Sequence, residues 1–175
     1  EYAGTAWVPR DDGTTAPSLE DSAVAYDAAR ARTVMFGGNL VWVPTAETWE
    51  FDGGAWLRRM AAVSPGPRGG HRMVFDASRG TVVLFGGKHL NSPLGDTWEL
   101  DGNGWSQRTP LASPSARSGH AMTYDAARSR TVLFGGESMP PETWEYDGTT
   151  WLMRSTASAP SSGTGGALAF DAWRR

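Results

Sequence analysis

His71, His89 and His120, the glutamates Glu50, Glu99 and Glu145, and nine tryptophans are the side chains of this sequence best suited to chemistry or contact. His71 and His120 sit in matching surroundings, Arg68-Gly69-Gly70-His71 and Arg117-Ser118-Gly119-His120. A metal ion or a general base needs convergent ligands, yet the equivalent positions elsewhere in the chain hold Ser22 and Gly166. The two histidines are therefore expected to be structural, with side chains bonding backbone between neighbouring repeats. His89, beside Lys88 and Asn91, reads as a solvated loop residue. An acid/base pair of carboxylates needs two different environments that separate their pKa values. Glu50, Glu99 and Glu145 instead recur in the same Thr-Trp-Glu triplet, which predicts strand-edge carboxylates paired with arginines. With no cysteine there is no thiolate nucleophile, thiolate metal site or disulfide. No Ser-His-Asp arrangement, phosphate loop or zinc spacing is visible, so the expectation is no catalytic residue, no metal ligand and no cofactor.

Composition narrows the partners. The chain has 175 residues and a net charge of −3 with no basic cluster, too little positive field to attract a phosphate backbone. No apolar run approaches the ~18 residues of a membrane helix, and no basic-then-apolar start resembles a signal peptide. Nucleic acid and membrane are thus not expected as partners. The 22 glycines and 11 prolines imply many turns.

The elements that position these side chains repeat. Phe36-Gly37-Gly38 returns as Phe85-Gly86-Gly87 and Phe134-Gly135-Gly136, in steps of 49. Trp49, Trp98 and Trp144 follow in Thr-Trp-Glu, and a second series runs Trp7, Trp56, Trp105, Trp151. Each member of that second series lies 19 residues before an aromatic-Asp pair: Tyr26, Phe75, Tyr124, Phe170. The last step of the Thr-Trp-Glu series shortens to 46, and the loss falls between Gly136 and Thr143. Fixed spacings with one elastic segment describe a structural frame carrying a free loop.

Each repeat reads as four short strands, a to d. In the second, His71 to Asp76 alternates in polarity, while Thr81 to Gly86 is apolar on both parities, as in a strand covered on both faces. Thr97 to Asp101 has one polar face, and Asp101-Gly102 signals a hairpin into the strand at Trp105, as do Asp52-Gly53 and Asp147-Gly148. Inner strands covered on both faces, with wetter outer strands, suit a blade in a radial stack of small sheets.

The Gly-Gly pair after an apolar strand, then aromatic-Asp, then Trp five residues after the aromatic (Phe51 to Trp56, Tyr146 to Trp151), resembles the kelch repeat. Leu100 replaces the aromatic before Trp105. The Asp box of sialidase-like propellers is a poorer likeness, because Asp and Gly are adjacent here. The resemblance implies an all-β fold: a kelch-type β-propeller segment of three complete four-stranded blades, plus a leading d strand at Trp7 and a trailing a strand ending at Phe170-Asp171. Residues 1-175 then form a single partial propeller, with blade 1 at about 22-60, blade 2 at about 71-109 and blade 3 at about 120-155. Residues 1-10 and 166-175 belong to incomplete neighbouring blades. Three blades cannot close a ring, so further copies or blades are expected to complete it. Gly37, Gly38, Gly86, Gly87, Gly135 and Gly136, with Trp49, Trp56, Trp98, Trp105, Trp144 and Trp151, are the expected frame residues. Copper-dependent kelch enzymes need a Cys crosslinked to Tyr, which this chain lacks.

Function is expected where the repeats differ. The a-to-b and c-to-d turns return almost verbatim, whereas Asn39 to Ala46, Lys88 to Asp96 and Glu137 to Glu142 share neither length nor chemistry. Variable loops on a rigid frame are where binding usually resides. Leu40, Trp42, Val43, His89 and Asn91 are the expected contact residues. The reading is a non-catalytic binding scaffold for a protein partner through its b–c and d–a loops, with a glycan as the lesser alternative. The competing reading is the propeller portion of a larger enzyme whose active residues lie outside this segment. Fifteen arginines to one lysine, and the likeness to bacterial kelch proteins, suggest a bacterial source and an extracellular or periplasmic location.

Overall fold

A computed structural model describes residues 18–137, 139–161 and 165–173. The chain opens with β1 (Ala23–Asp27) and β2 (Arg32–Phe36), detours through a ribbon of β3 (Asn39–Leu40) and β4 (Val43–Pro44), and returns as β5 (Thr48–Phe51) and β6 (Trp56–Arg59). The second repeat does the same with β7 (Arg72–Asp76), β8 (Thr81–Phe85), the ribbon β9 (Lys88–His89) and β10 (Ser92–Pro93), then β11 (Thr97–Leu100) and β12 (Trp105–Arg108). The third, with the shortened loop, has β13 (Ala121–Asp125), β14 (Arg130–Phe134), β15 (Thr143–Tyr146) and β16 (Trp151–Arg154) and no ribbon. Each repeat makes one antiparallel four-stranded sheet in sequence order. Equivalent residues keep one register: Thr48 faces Phe36, Thr97 faces Phe85 and Thr143 faces Phe134. No helix occurs among the described residues.

The turns explain why these strands start and stop where they do. Asp27 Oδ1 accepts the amides of Ala29 and Arg30, and Asp76 and Asp125 do the same two and three residues downstream. Asp52, Asp101 and Asp147 repeat the device between the third and fourth strands. After the second strand, Gly86 takes φ +65° and a Cβ there would lie 2.6 Å from the Arg117 carbonyl oxygen. The Gly-Gly pair is therefore where the next repeat's backbone crosses close by.

The core lies between sheets. Val34 and Phe36 of the first sheet pack on Met73, Val82, Leu84, Trp98, Leu100 and Trp105 of the second. Val83 and Phe85, on the other face of the second sheet, pack on Met122, Leu133, Tyr146 and Trp151 of the third. The first strands β1, β7 and β13 lie beside one another. This is a repeated arrangement compatible with blade-like propeller segments; the sheets remain three separate four-stranded units and none closes on itself.

Three expectations are revised. Thr97–Leu100 was expected to have a wet face, but the whole strand is buried, because arginines cover its polar side. The a strand expected to end at Phe170-Asp171 does not form: residues 166–171 are outside any strand. Asp171 still accepts the Trp173 amide at 2.9 Å, so the local turn forms while the strand, which needs a ladder partner, does not. The leading d strand at Trp7 lies outside the described residues. Gly102, expected as a left-handed hairpin glycine, does not have positive φ; in that turn Gly104 does, at +132°.

Candidate functional site

Between the sheets one cluster occurs twice. The Phe36 ring meets His71 and Trp105 of the next sheet at centroid distances of 5.5 and 5.2 Å, and Phe85 meets His120 and Trp151 at 5.6 and 5.2 Å. Both histidines are fully buried, and their ring nitrogens have no partner of hydrogen-bond geometry among the described residues. They pack edge-on under the glycine pair, and the Phe36 backbone of the preceding sheet acts on the His71 ring as a weak hydrogen-bond partner. Burial, with Arg68, His120 and Arg72 nearby, pushes the His71 pKa down to about 3; burial with Arg72 and Arg117 does the same to His120, also to about 3. A neutral, sealed imidazole of this kind neither exchanges protons with substrate nor reaches a metal.

The in-phase glutamates each sit between two arginines, as their repetition predicts. Glu50 is bonded by Arg30 and Arg59, Glu99 by Arg79 and Arg108, and Glu145 by Arg128 and Arg154. The first arginine of each pair also holds the turn aspartate, Asp27, Asp76 or Asp125. Burial opposes ionisation of Glu50 and Glu145, but the guanidinium bonds outweigh it and hold both below the ordinary glutamate range. Carboxylates locked in this way are framework. A second motif was not expected: fully buried Arg68 reaches the Gly86 carbonyl and grips Asp96 with two nitrogens, and Arg117 reaches the Gly135 carbonyl and Glu142. The same acids accept Nε1 of Trp98 and Trp144, as Glu47 does from Trp49.

The face that varies is built around a row of left-handed residues. Asp21, Gly70, Gly119 and Gly165 have φ of 55°, 67°, 64° and 75°. The Gly70 amide donates to the Asp21 carbonyl, Gly119 to Gly70 and Gly165 to Gly119, at 3.0, 2.9 and 3.0 Å. Outward of this row, each Gly-Gly pair is followed by a residue of different chemistry: Asn39, Lys88, Glu137. Lys88 Nζ lies 3.3 Å from Glu137, both half exposed.

The ribbons rise from this floor. In β3–β4 the two-residue turn is Val41-Trp42, at φ 48° and 70°. Positive φ at both central positions is the geometry of a type I′ turn, which favours Asn-Gly; a β-branched and a bulky residue there are strained. In β9–β10, Leu90 has φ 53° at the first central position, where such turns favour glycine. Val41 and Trp42 are about four-fifths exposed, at 82% and 80%. Between the ribbons runs a groove of about 440 Å³ walled by Trp42, Pro44 and Leu90, with Asp21, Asn39, Lys88 and Asn91 supplying its polar groups.

Of the expected contact residues, the structure brings Trp42 and Asn91 into this groove. Leu40 and Val43 are exposed on the ribbon beside it, and His89, placed in β9 rather than in a loop, turns Nδ1 to the Pro67 carbonyl at 3.0 Å. Asp21 and Asn39 were missed, although the change of chemistry after each Gly-Gly pointed to position 39. The glycine and tryptophan frame residues occupy matching turns and strands in all three sheets. Trp105 and Trp151 are buried between sheets, while Trp56 is half-buried. The chain matches no protein-family model and none of the curated proteins.

Proposed function

We propose that this chain is part of a kelch-type β-propeller and acts as a non-catalytic binding scaffold whose contact face carries the β3–β4 and β9–β10 ribbons. The observation that carries the binding role is the turn at Val41-Trp42. Holding each bulky residue at left-handed φ costs of order 1–3 kcal/mol, and a sequence free to change would put Asn-Gly there. Strain kept at two exposed apolar side chains, next to a groove with polar side chains, supports reading this surface as one that a macromolecular partner covers.

The propeller part of the reading is supported by the first sheet's outer face. Val24 is 54% exposed where its equivalents Met73 and Met122 are 6% and 8%, each covered by the sheet before it. Tyr26 is likewise exposed where Phe75 and Tyr124 are half-buried. Another sheet of the same kind fits that face. The carboxylates that could have served an enzyme are each committed to two arginines, which favours the scaffold over a catalytic segment.

The test is the double variant Val41→Asn/Trp42→Gly, assayed beside the wild type against a displayed peptide library and an oligosaccharide array. The turn should relax, leaving the melting temperature equal or higher, while ligands selected on the wild-type chain are lost. If every ligand selected on the wild type binds the variant equally well, the contact face is elsewhere.

A further inference from the structure

Resting on that assignment of the contact face, the chemistry of the groove goes further and selects a class of ligand. We infer that the groove between the two ribbons is a binding site for a neutral oligosaccharide, with Trp42 as its stacking surface and Asp21, Asn39, Lys88 and Asn91 as its hydroxyl-recognition groups.

The polar groups there satisfy one another only in part. Asn39 Nδ2 reaches Asp21 Oδ2 only at 3.4 Å, and Lys88 leans 3.3 Å from Glu137, on the far side of the ribbon. The Asn91 side chain makes no hydrogen bond among the described residues. In the free protein these donors and acceptors are left to solvent. An apolar peptide side chain seated over them would strand each group at about 1–3 kcal/mol. Sugar hydroxyls, each donor and acceptor at once, replace that solvent group for group, while the C–H face of the ring covers the exposed indole. With Lys88 paired to Glu137, Asp21 is the charge that the lining adds, which disfavours an acidic sugar.

The groove is also held in shape before anything binds. A Cβ on Gly69 would lie 2.8 Å from Asn39 Nδ2, so the Asn39 amide rests close against the Gly69 backbone. Lys88 is fixed by exchanging backbone hydrogen bonds with Gly69, at 2.9 and 3.0 Å. Its volume falls within the ~300–1,000 Å³ of ordinary small-ligand sites, and preformed lining groups reduce the ordering cost of binding.

The experiment screens the purified 175-residue chain on an array of neutral and acidic oligosaccharides, then titrates the hits as free sugars by tryptophan fluorescence and saturation-transfer NMR. A neutral oligosaccharide should bind with Kd between about 1 μM and 1 mM. Trp42→Ala and Asn91→Ala should each weaken it at least tenfold without lowering the melting temperature, and Trp42→Phe should recover part of the loss. A blank array, hits confined to acidic sugars, or neutral hits indifferent to both alanine variants would overturn the inference. If the array is blank while selected peptides bind the wild type and not Val41→Asn/Trp42→Gly, the saccharide fails and the contact face stands. If peptides too ignore that variant, both fall.

Discussion

Trp105 of the second sheet donates its indole N–H to Thr48 Oγ1 of the first at 3.0 Å, and Trp151 of the third donates to Thr97 of the second at the same 3.0 Å. One aromatic from each outer strand thus ties its sheet to the third strand of its neighbour, within the apolar interface. Thr48→Val keeps the shape but leaves a buried N–H without a partner, a loss of about 1–3 kcal/mol. Trp151→Ala removes the packing as well, about 3–5 kcal/mol. Urea unfolding should rank Trp151→Ala above Thr97→Val; equal small losses would mean that the sheets do not depend on this contact.

Gly86 and Gly102 should behave oppositely although both lie in glycine turns. At Gly86 the left-handed φ and the Arg117 carbonyl 2.6 Å from a Cβ leave alanine no room, while nothing lies within 4 Å at Gly102. Gly86→Ala should cost well over 1 kcal/mol, and Gly102→Ala should stay within about 0.5 kcal/mol. The comparison is read from denaturation midpoints, and a tolerant Gly86 would refute the close crossing.

The buried histidines give the protein an acid limit. Their folded pKa of about 3 lies below the ordinary 6.5, so the unfolded chain binds more protons between those values. Stability is then full above about pH 6.5 and falls as pH drops toward 3, by up to about 1.4 kcal/mol per pH unit for each histidine. Thermal melts from pH 7 to 4 should show this fall, and His120→Phe should roughly halve its slope. A flat melting temperature from pH 7 to 5 would contradict neutral burial.

Glu99 should be the most sensitive carboxylate. It is 1% exposed and accepts from Arg79, Arg108 and the Tyr146 hydroxyl, whereas Glu50 is half-buried and has two arginines. Glu99→Ala removes the acceptor that these three groups share, leaving Arg79 with Asp76 and the Tyr146 hydroxyl with the Gly148 carbonyl, a loss of about 1–3 kcal/mol. Glu50→Ala should lose less. Calorimetry that finds the order reversed would mean that the central sheet is not the best covered.

The sequence by itself determined the four main strands of each sheet, their order and their equivalence, but not the β3–β4 and β9–β10 ribbons. The reason is local: Asp turns, glycine pairs and alternating apolar residues act within a few positions, and repetition at 49 residues shows which turn matches which. The Asp171 turn forms although residues 166–171 lie outside any strand, which demonstrates how local that information is. The pairing of Glu50, Glu99 and Glu145 with arginines was legible for the same reason, since the repeats carry acid and base at constant spacing.

Tertiary structure decided what depends on two repeats at once. That His71 meets both the ring and the backbone of Phe36, 35 residues earlier in the chain, is set by how the second sheet stacks on the first. The grip of Arg68 on Asp96 has the same origin. The groove joins Asp21 and Asn39 to Lys88 and Asn91 because the first and second sheets stand side by side and lift their ribbons together. No spacing within one repeat encodes that meeting. Nor could composition show that Val41 and Trp42 sit at left-handed φ, since their residue types argue against that backbone; only the two-residue connection between paired β3 and β4 forces it.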